Sequence, residues 1–162
     1  MSARKTILVT GCSAGGIGAA VARELAQLGH HVYATARTAS KIPTELSELP
    51  NVTVLQLDVT SDESVRAAAK AVADHGASTG TGAGLDVLVN NAGHGYTMPI
   101  LDVDVAHAQR LHDTNVWGVV RTIQAFADLL IANQGRVVNM SSVGAVVNTP
   151  WIGISFFFCV NR

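Results

Sequence analysis

The chain has little charge, few cysteines and no long apolar run, and each shortage removes a class of function. Only 14% of its 162 residues are charged, and 11 Lys and Arg against 12 Asp and Glu leave a net charge of -1. No basic cluster stands out, so neither a nucleic-acid interface nor an anionic membrane surface is expected. The 2 cysteines, Cys12 and Cys159, cannot build a disulfide framework, which points to a reducing, intracellular and cytoplasmic setting. No stretch reaches the about 20 apolar residues that a transmembrane segment needs. No apolar signal segment precedes Lys5. The histidines (His30, His31, His75, His94, His107 and His112) show no metal-ligand spacing, so no metal is expected and they read as solvated or loop residues.

What is present is apolar and glycine-rich: 48% of residues are hydrophobic and 15 are glycine. That composition suits a parallel sheet covered by helices on both faces, whose strands are apolar throughout. Thr6–Thr10, His31–Ala36, Val52–Leu57, Leu85–Asn90 and Arg136–Met140 read as strands. Between the first two, Ile17, Val21, Leu25 and Leu28 recur at helical spacing and Gly29 stops the helix. Thr60-Ser61-Asp62-Glu63 has the form of a capping box opening a helix that reaches about Asp74. Gly76–Gly84 reads as a flexible surface connection, and a helical stretch from about Val103 to Ala132 is interrupted near Asp113. The alternation argues for an α/β fold, a doubly wound parallel sheet; the expected form is a Rossmann sheet of order 3-2-1-4-5, truncated after the fifth strand. One domain is expected over residues 1–154, followed by a divergent tail over 155–162.

The first strand runs into Gly11, Gly15, Gly16 and Gly18 and then into a helix. Glycines allow a tight turn and close backbone approach, while the helix N-terminus offers N–H groups and a positive dipole end. This is the arrangement that holds a dinucleotide pyrophosphate. A plain glycine turn joining strand to helix is the alternative on these residues alone. The second strand ends in Arg37, followed by Thr38 and Lys41, where sites for the unphosphorylated dinucleotide carry a carboxylate. Arginine pairs with a 2′-phosphate through its planar fork of donors, so NADPH or NADP is expected over NADH. A solvated basic turn is the other reading.

With Thr10-Gly11, the glycines after it and Asn90-Asn91-Ala92-Gly93 all in place, the chain resembles the short-chain dehydrogenase/reductase family. Its Gly-Gly-Ile-Gly loop, one residue longer than the usual spacing, resembles that of the NADPH-dependent 1-acyldihydroxyacetone-phosphate reductase branch. The resemblance implies that Gly11, Gly16, Ile17 and Gly18 line the pyrophosphate and that Asp58 faces the adenine. It implies that Asn90, Ala92 and Gly93 hold the ribose and the strand end. Asn115 matches the helix asparagine that supports a proton-relay water, and Ser142 the serine that hydrogen-bonds a substrate carbonyl. Read alone, Asp58 caps a turn, Asn115 is an ordinary helix residue and Ser142 is loop chemistry. His94-Gly95-Tyr96 follows the strand end, where contact with a substrate is one reading and a loop histidine the other.

In that family a tyrosine follows the serine at a fixed interval and a lysine stands four positions further. The corresponding residues here are Ser155 and Cys159. A serine hydroxyl is too weak an acid to serve without a base beside it, and cysteine carries no positive charge. The family's helix with this pair, which often forms the subunit interface, and its later strands would lie downstream, and the abrupt change suggests a premature end or altered reading frame. The expectation is therefore a carbonyl-reductase lineage acting on a small-molecule, lipid-like or polyketide-like ketone, with this chain impaired. Lipid association follows from the same resemblance. A non-catalytic nucleotide- or partner-binding module and an unstable fragment remain the alternatives.

Overall fold

The computed structural model describes residues 3–79 and 84–142. Strands β1 (Thr6–Val9), β2 (His31–Ala36), β3 (Val52–Gln56), β4 (Val87–Asn90) and β5 (Arg136–Asn139) form a sheet. Its order is β3-β2-β1-β4-β5 and every neighbouring pair is parallel. The helices are α1 (Ile17–Gln27), α2 (Thr44–Ser47), α3 (Asp62–Thr79), α4 (Val105–His112) and α5 (Gly118–Ala132). A π-helical segment, Asp113–Trp117, joins α4 to α5 where the sequence showed an interruption. The doubly wound order is the one expected.

Side-chain alternation along β1 divides the core. Ile7 and Val9 pack with α1 and α2 residues (Ala19, Ala22, Ala26 and Leu46) on one face. Leu8 packs with Val65, Ala68 and Val72 of α3 and with Phe126 and Leu130 of α5 on the other. Covering both faces is what permits strands without polar alternation.

Helix α1 departs from its expected packing. Its buried residues are Gly18, Ala19, Ala22 and Ala26, whereas Ile17 and Leu28 are each 65% exposed. Small residues let the helix approach the sheet closely, and the larger aliphatic side chains flank that contact rather than fill it. Gly29 sits at φ 88° just past the helix, as a C-terminal glycine should.

Helix α3 also differs, continuing to Thr79 instead of ending near Asp74. Gly76 is buried in it, and the preceding His75 reaches the Tyr33 hydroxyl at 2.7 Å. Docking on the sheet outweighs the weak helix preference of glycine, which is about 1 kcal/mol relative to alanine. Of the expected surface connection, residues 80–83 lie outside the described residues. The cap is shifted by one residue as well: Ser61 Oγ accepts from the Ser64 N–H at 3.2 Å, so Ser61 takes the role expected of Thr60.

Candidate functional site: a cavity at the sheet's switch point

Strand order reverses between β1 and β4, the position at which a doubly wound sheet opens a crevice past its strand ends. A cavity of about 370 Å³ occupies it. Gly11, Ser13, Ala14, Gly16 and Ile17 form one wall, with Ala36 and Arg37 from the end of β2. Leu57 and Val59 follow β3, Asn91 to His94 follow β4, and Thr114 comes from the π-helical segment.

The glycine loop and the strand that faces it are bolted together. Thr10 is buried, and its hydroxyl accepts from the backbone N–H groups of Asn91 and Ala92, both at 2.9 Å. The Asn91 amide in turn donates to the carbonyls of Thr10 at 2.8 Å and Gly11 at 3.2 Å. Gly11 has φ 75°, and a Cβ there would lie 2.9 Å from the Ala92 Cα. A Cβ on Gly18 would lie 2.6 Å from the Gly11 carbonyl oxygen and also collide with the Asn91 amide. Glycine is required at both positions, by backbone conformation at one and by close approach at both.

The additional loop residue is held in place. Cys12 N–H donates to the Thr35 carbonyl and Ala14 N–H to the Lys41 carbonyl, each at 2.8 Å. The Cys12 thiol is fully buried, and burial pushes its pKa up to about 11, so it is an inert packing group. No side chain caps the N-terminus of α1 at Gly16, which leaves that helix end open to an anion.

Of the residues singled out from sequence, Gly11, Gly16, Ile17, Arg37, Ala92 and Gly93 border the cavity directly. Gly18 lies behind the wall as a spacer. Thr38 and Lys41 are exposed in the turn after β2, where the Thr38 carbonyl accepts from the Lys41 N–H at 3.0 Å. Asp58 lies between two cavity residues, and its Oδ1 accepts from the Thr60 N–H at 3.0 Å and the Thr60 hydroxyl at 2.8 Å. Asn90 faces inward: its Oδ1 accepts from Thr122 Oγ1 at 2.8 Å and its Nδ2 donates to Asn139 Oδ1 at 2.9 Å. Ser142 is exposed just past β5. Positions 155 and 159 lie outside the described residues.

Asn115 stands in the π-helical segment and grips the backbone of His94. Its Oδ1 accepts from the His94 N–H at 3.1 Å and its Nδ2 donates to the His94 carbonyl at 2.9 Å. Arg121 braces the same segment, pairing with Asp113 at 2.6 Å and Asp62 at 3.1 Å and reaching the Val59 carbonyl at 3.4 Å.

The sequence reading passed over Ser13, Asn91, Thr114 and the apolar residues Ala36, Leu57 and Val59. The last three carry no chemical signature, and only the fold brings them to one crevice. The histidines are less scattered than their spacing suggested. His31 stacks on His75 with ring centroids 5.0 Å apart, and His94 lies 6.5 Å from His107, which itself stacks on Tyr96 at 4.1 Å. Among the described residues no group of three or more His, Cys, Asp or Glu side chains converges as a metal site would. No helix among them is long and apolar enough to cross a membrane.

A parallel α/β sheet with a glycine-lined crevice at its switch point defines a Rossmann-type nucleotide-binding protein. The short chain dehydrogenase family model matches residues 5–154. The chain belongs to that oxidoreductase family. It is 46% identical over 151 residues to the short-chain dehydrogenase ptmH of Penicillium ochrochloron, covering 93% of this chain and 54% of that protein. It is 37% identical to the NADPH-dependent 1-acyldihydroxyacetone phosphate reductase of Schizosaccharomyces pombe, covering 91% of this chain and 47% of that protein. Among solved structures it resembles an alcohol dehydrogenase of Thermococcus sibiricus complexed with 5-hydroxy-NADP. That match has TM-score 0.83 and 31% identity, covering 94% of this chain and 64% of that one. A short chain dehydrogenase of Burkholderia cenocepacia in complex with NADP matches with TM-score 0.80 and 27% identity, covering 94% of this chain and 59% of that one. The chain spans about half the length of the curated relatives it matches. Family and neighbours together support a nicotinamide cofactor.

Proposed function

We propose that this chain binds NADP(H) in the switch-point cavity and derives from enzymes that reduce a small-molecule ketone of lipid-like or polyketide-like character. The observation that carries this reading is Arg37 on the wall of a cavity that also holds the glycine loop and the open N-terminus of α1. Among the described residues that line the cavity none is a carboxylate, which suits a 2′-phosphate. When bound, the nicotinamide supplies or accepts the hydride. The chain's own residues would bind and orient it: Gly11, Gly16, Ile17 and Gly18 at the pyrophosphate, Arg37 with Thr38 and Lys41 at the 2′-phosphate, and Asp58, Asn90, Ala92 and Gly93 at the adenosine side.

Ser142 would hydrogen-bond the substrate carbonyl, and Asn115 would hold the wall beside it. Ser155 and Cys159 stand where the family's tyrosine and lysine are expected, so proton transfer to the substrate oxygen is impaired and binding outlasts turnover. A cytoplasmic location suits these roles. Isothermal titration of the purified chain with NADPH and NADH tests the reading. Tighter binding of NADPH is expected, and equal or tighter binding of NADH would overturn the assignment. A chain that binds NADPH but reduces no ketone is the non-catalytic nucleotide-binding module.

A further inference from the structure

Among the described residues the cavity has two cationic or potentially cationic side chains on its wall, and the reading above accounts for Arg37. The other is His94, immediately past the Asn-Asn-Ala-Gly segment at the end of β4. Asn115 holds both backbone polar groups of His94, so the imidazole projects from a fixed point rather than from a loose loop. Arg37 at the end of β2 and His94 past β4 border the same space, together with residues of the glycine loop. We propose that His94 is a second phosphate-recognition residue of this cavity, acting with Arg37, and that it takes up a proton as the dinucleotide binds. The proposal rests on the dinucleotide reading above and adds to it a residue and a pH dependence.

The electrostatics of the cavity agree with the geometry. Burial lowers the His94 pKa, and so do the charges of His107 and Arg37. His107 faces it from α4, stacked on Tyr96, with Asp104 accepting from the His107 backbone N–H at 2.8 Å. Asn115, on the π-helical segment, is neutral. Among the described residues no carboxylate on the cavity wall offsets Arg37, so the neutral imidazole is favoured there. A phosphate between the two residues reverses that preference. It cancels the repulsion and offers acceptors to the imidazolium N–H, making a charge-assisted hydrogen bond. The chemistry is shared by the pyrophosphate and the 2′-phosphate, and the two dinucleotides separate them.

The experiment is isothermal titration of the full chain, His94→Gln and Arg37→Ala with NADPH and with NADH between about pH 5 and 8. Two buffers of different ionisation enthalpy report proton uptake. Binding by the parent is expected to take up a fraction of a proton more near neutrality than binding by His94→Gln. The parent should bind of order tenfold more tightly than His94→Gln at the acid end, the effect of about 1.4 kcal/mol. That advantage should vanish at the alkaline end, while Arg37→Ala weakens binding across the range. Protonation of the cofactor's own phosphate is common to both proteins and cancels in the ratio. An advantage with NADPH alone assigns His94 to the 2′-phosphate, and one with both dinucleotides assigns it to the pyrophosphate. His94→Asn serves as the second uncharged variant should the glutamine protein fail to fold. Equal affinity and equal proton uptake in parent and variant would overturn the role of His94 and leave the dinucleotide reading standing. A cooperatively folded parent that binds neither dinucleotide would overturn both.

Discussion

Thr10 and Asn91 hold each other at the mouth of the cavity. The Thr10 hydroxyl accepts from the Asn91 N–H at 2.9 Å, and the Asn91 amide returns a hydrogen bond to the Thr10 carbonyl at 2.8 Å. Thr10 also donates to the Val89 carbonyl at 3.4 Å, so one hydroxyl joins the ends of β1 and β4. Thr10→Val keeps the shape and strands the N–H groups of Asn91 and Ala92. Each stranded donor costs about 1–3 kcal/mol, so Thr10→Val should lower the urea midpoint markedly, while Thr10→Ser changes it little. Equal midpoints for the valine and serine variants would show that water replaces the hydroxyl.

Gly18 should tolerate nothing larger. Its place against the Gly11 carbonyl and the Asn91 amide means that Gly18→Ala pushes α1 off the strand ends. Overpacking of this kind costs about 1–3 kcal/mol, and the glycine loop should lose dinucleotide affinity with it. Gly95→Ala, where a Cβ meets nothing within 4 Å, is the control. Thermal unfolding and NADPH titration on both variants measure the difference.

Arg37→Ala should weaken NADPH about tenfold or more and NADH little, because only the 2′-phosphate contact is removed. Equal losses for the two dinucleotides would place the guanidinium elsewhere.

Stability should fall in mild acid through the His31, Tyr33 and His75 cluster under α3. Burial lowers the His31 pKa, reinforced by His75 and Arg4. The folded state therefore prefers neutral His31 more than the unfolded chain does. That preference contributes stability above the ordinary histidine value of about 6.5 and is lost as pH falls through the lowered folded value. The urea midpoint should drop between about pH 7 and pH 5, and His31→Gln should flatten the drop. A parent midpoint unchanged over that interval would remove the cluster from the account.

Turnover of ketones by the chain should be slow. General acid–base catalysis contributes about 10²- to 10⁴-fold, and neither Ser155 nor Cys159 supplies it. Fast NADPH oxidation that Ser142→Ala abolishes would require a proton donor other than these.

The features legible from sequence are those that local chemistry specifies. Apolar runs between glycines and helical patterns announce a doubly wound parallel sheet, and Gly11, Gly16 and Arg37 mark its crevice because turn geometry and charge are written in single residues. The strand ends shifted by one or two residues, β4 beginning at Val87 rather than Leu85, since fraying there depends on neighbours. What tertiary structure alone decided is which side chain at each marked place faces the cavity. Asn90 turned to Thr122 and Asn139, and Asn91 took the wall, because the one-residue alternation of a strand cannot be registered until β5 and α5 are in place. Helix α1 buried its alanines rather than Ile17 and Leu28, a choice made by how closely the loop draws the helix to the sheet. His94 and Arg37 border one cavity although 56 residues lie between them in the chain. Periodicity reports the burial a residue seeks, but the partner it meets depends on long-range pairing, and the chemistry of this site lies in those partners.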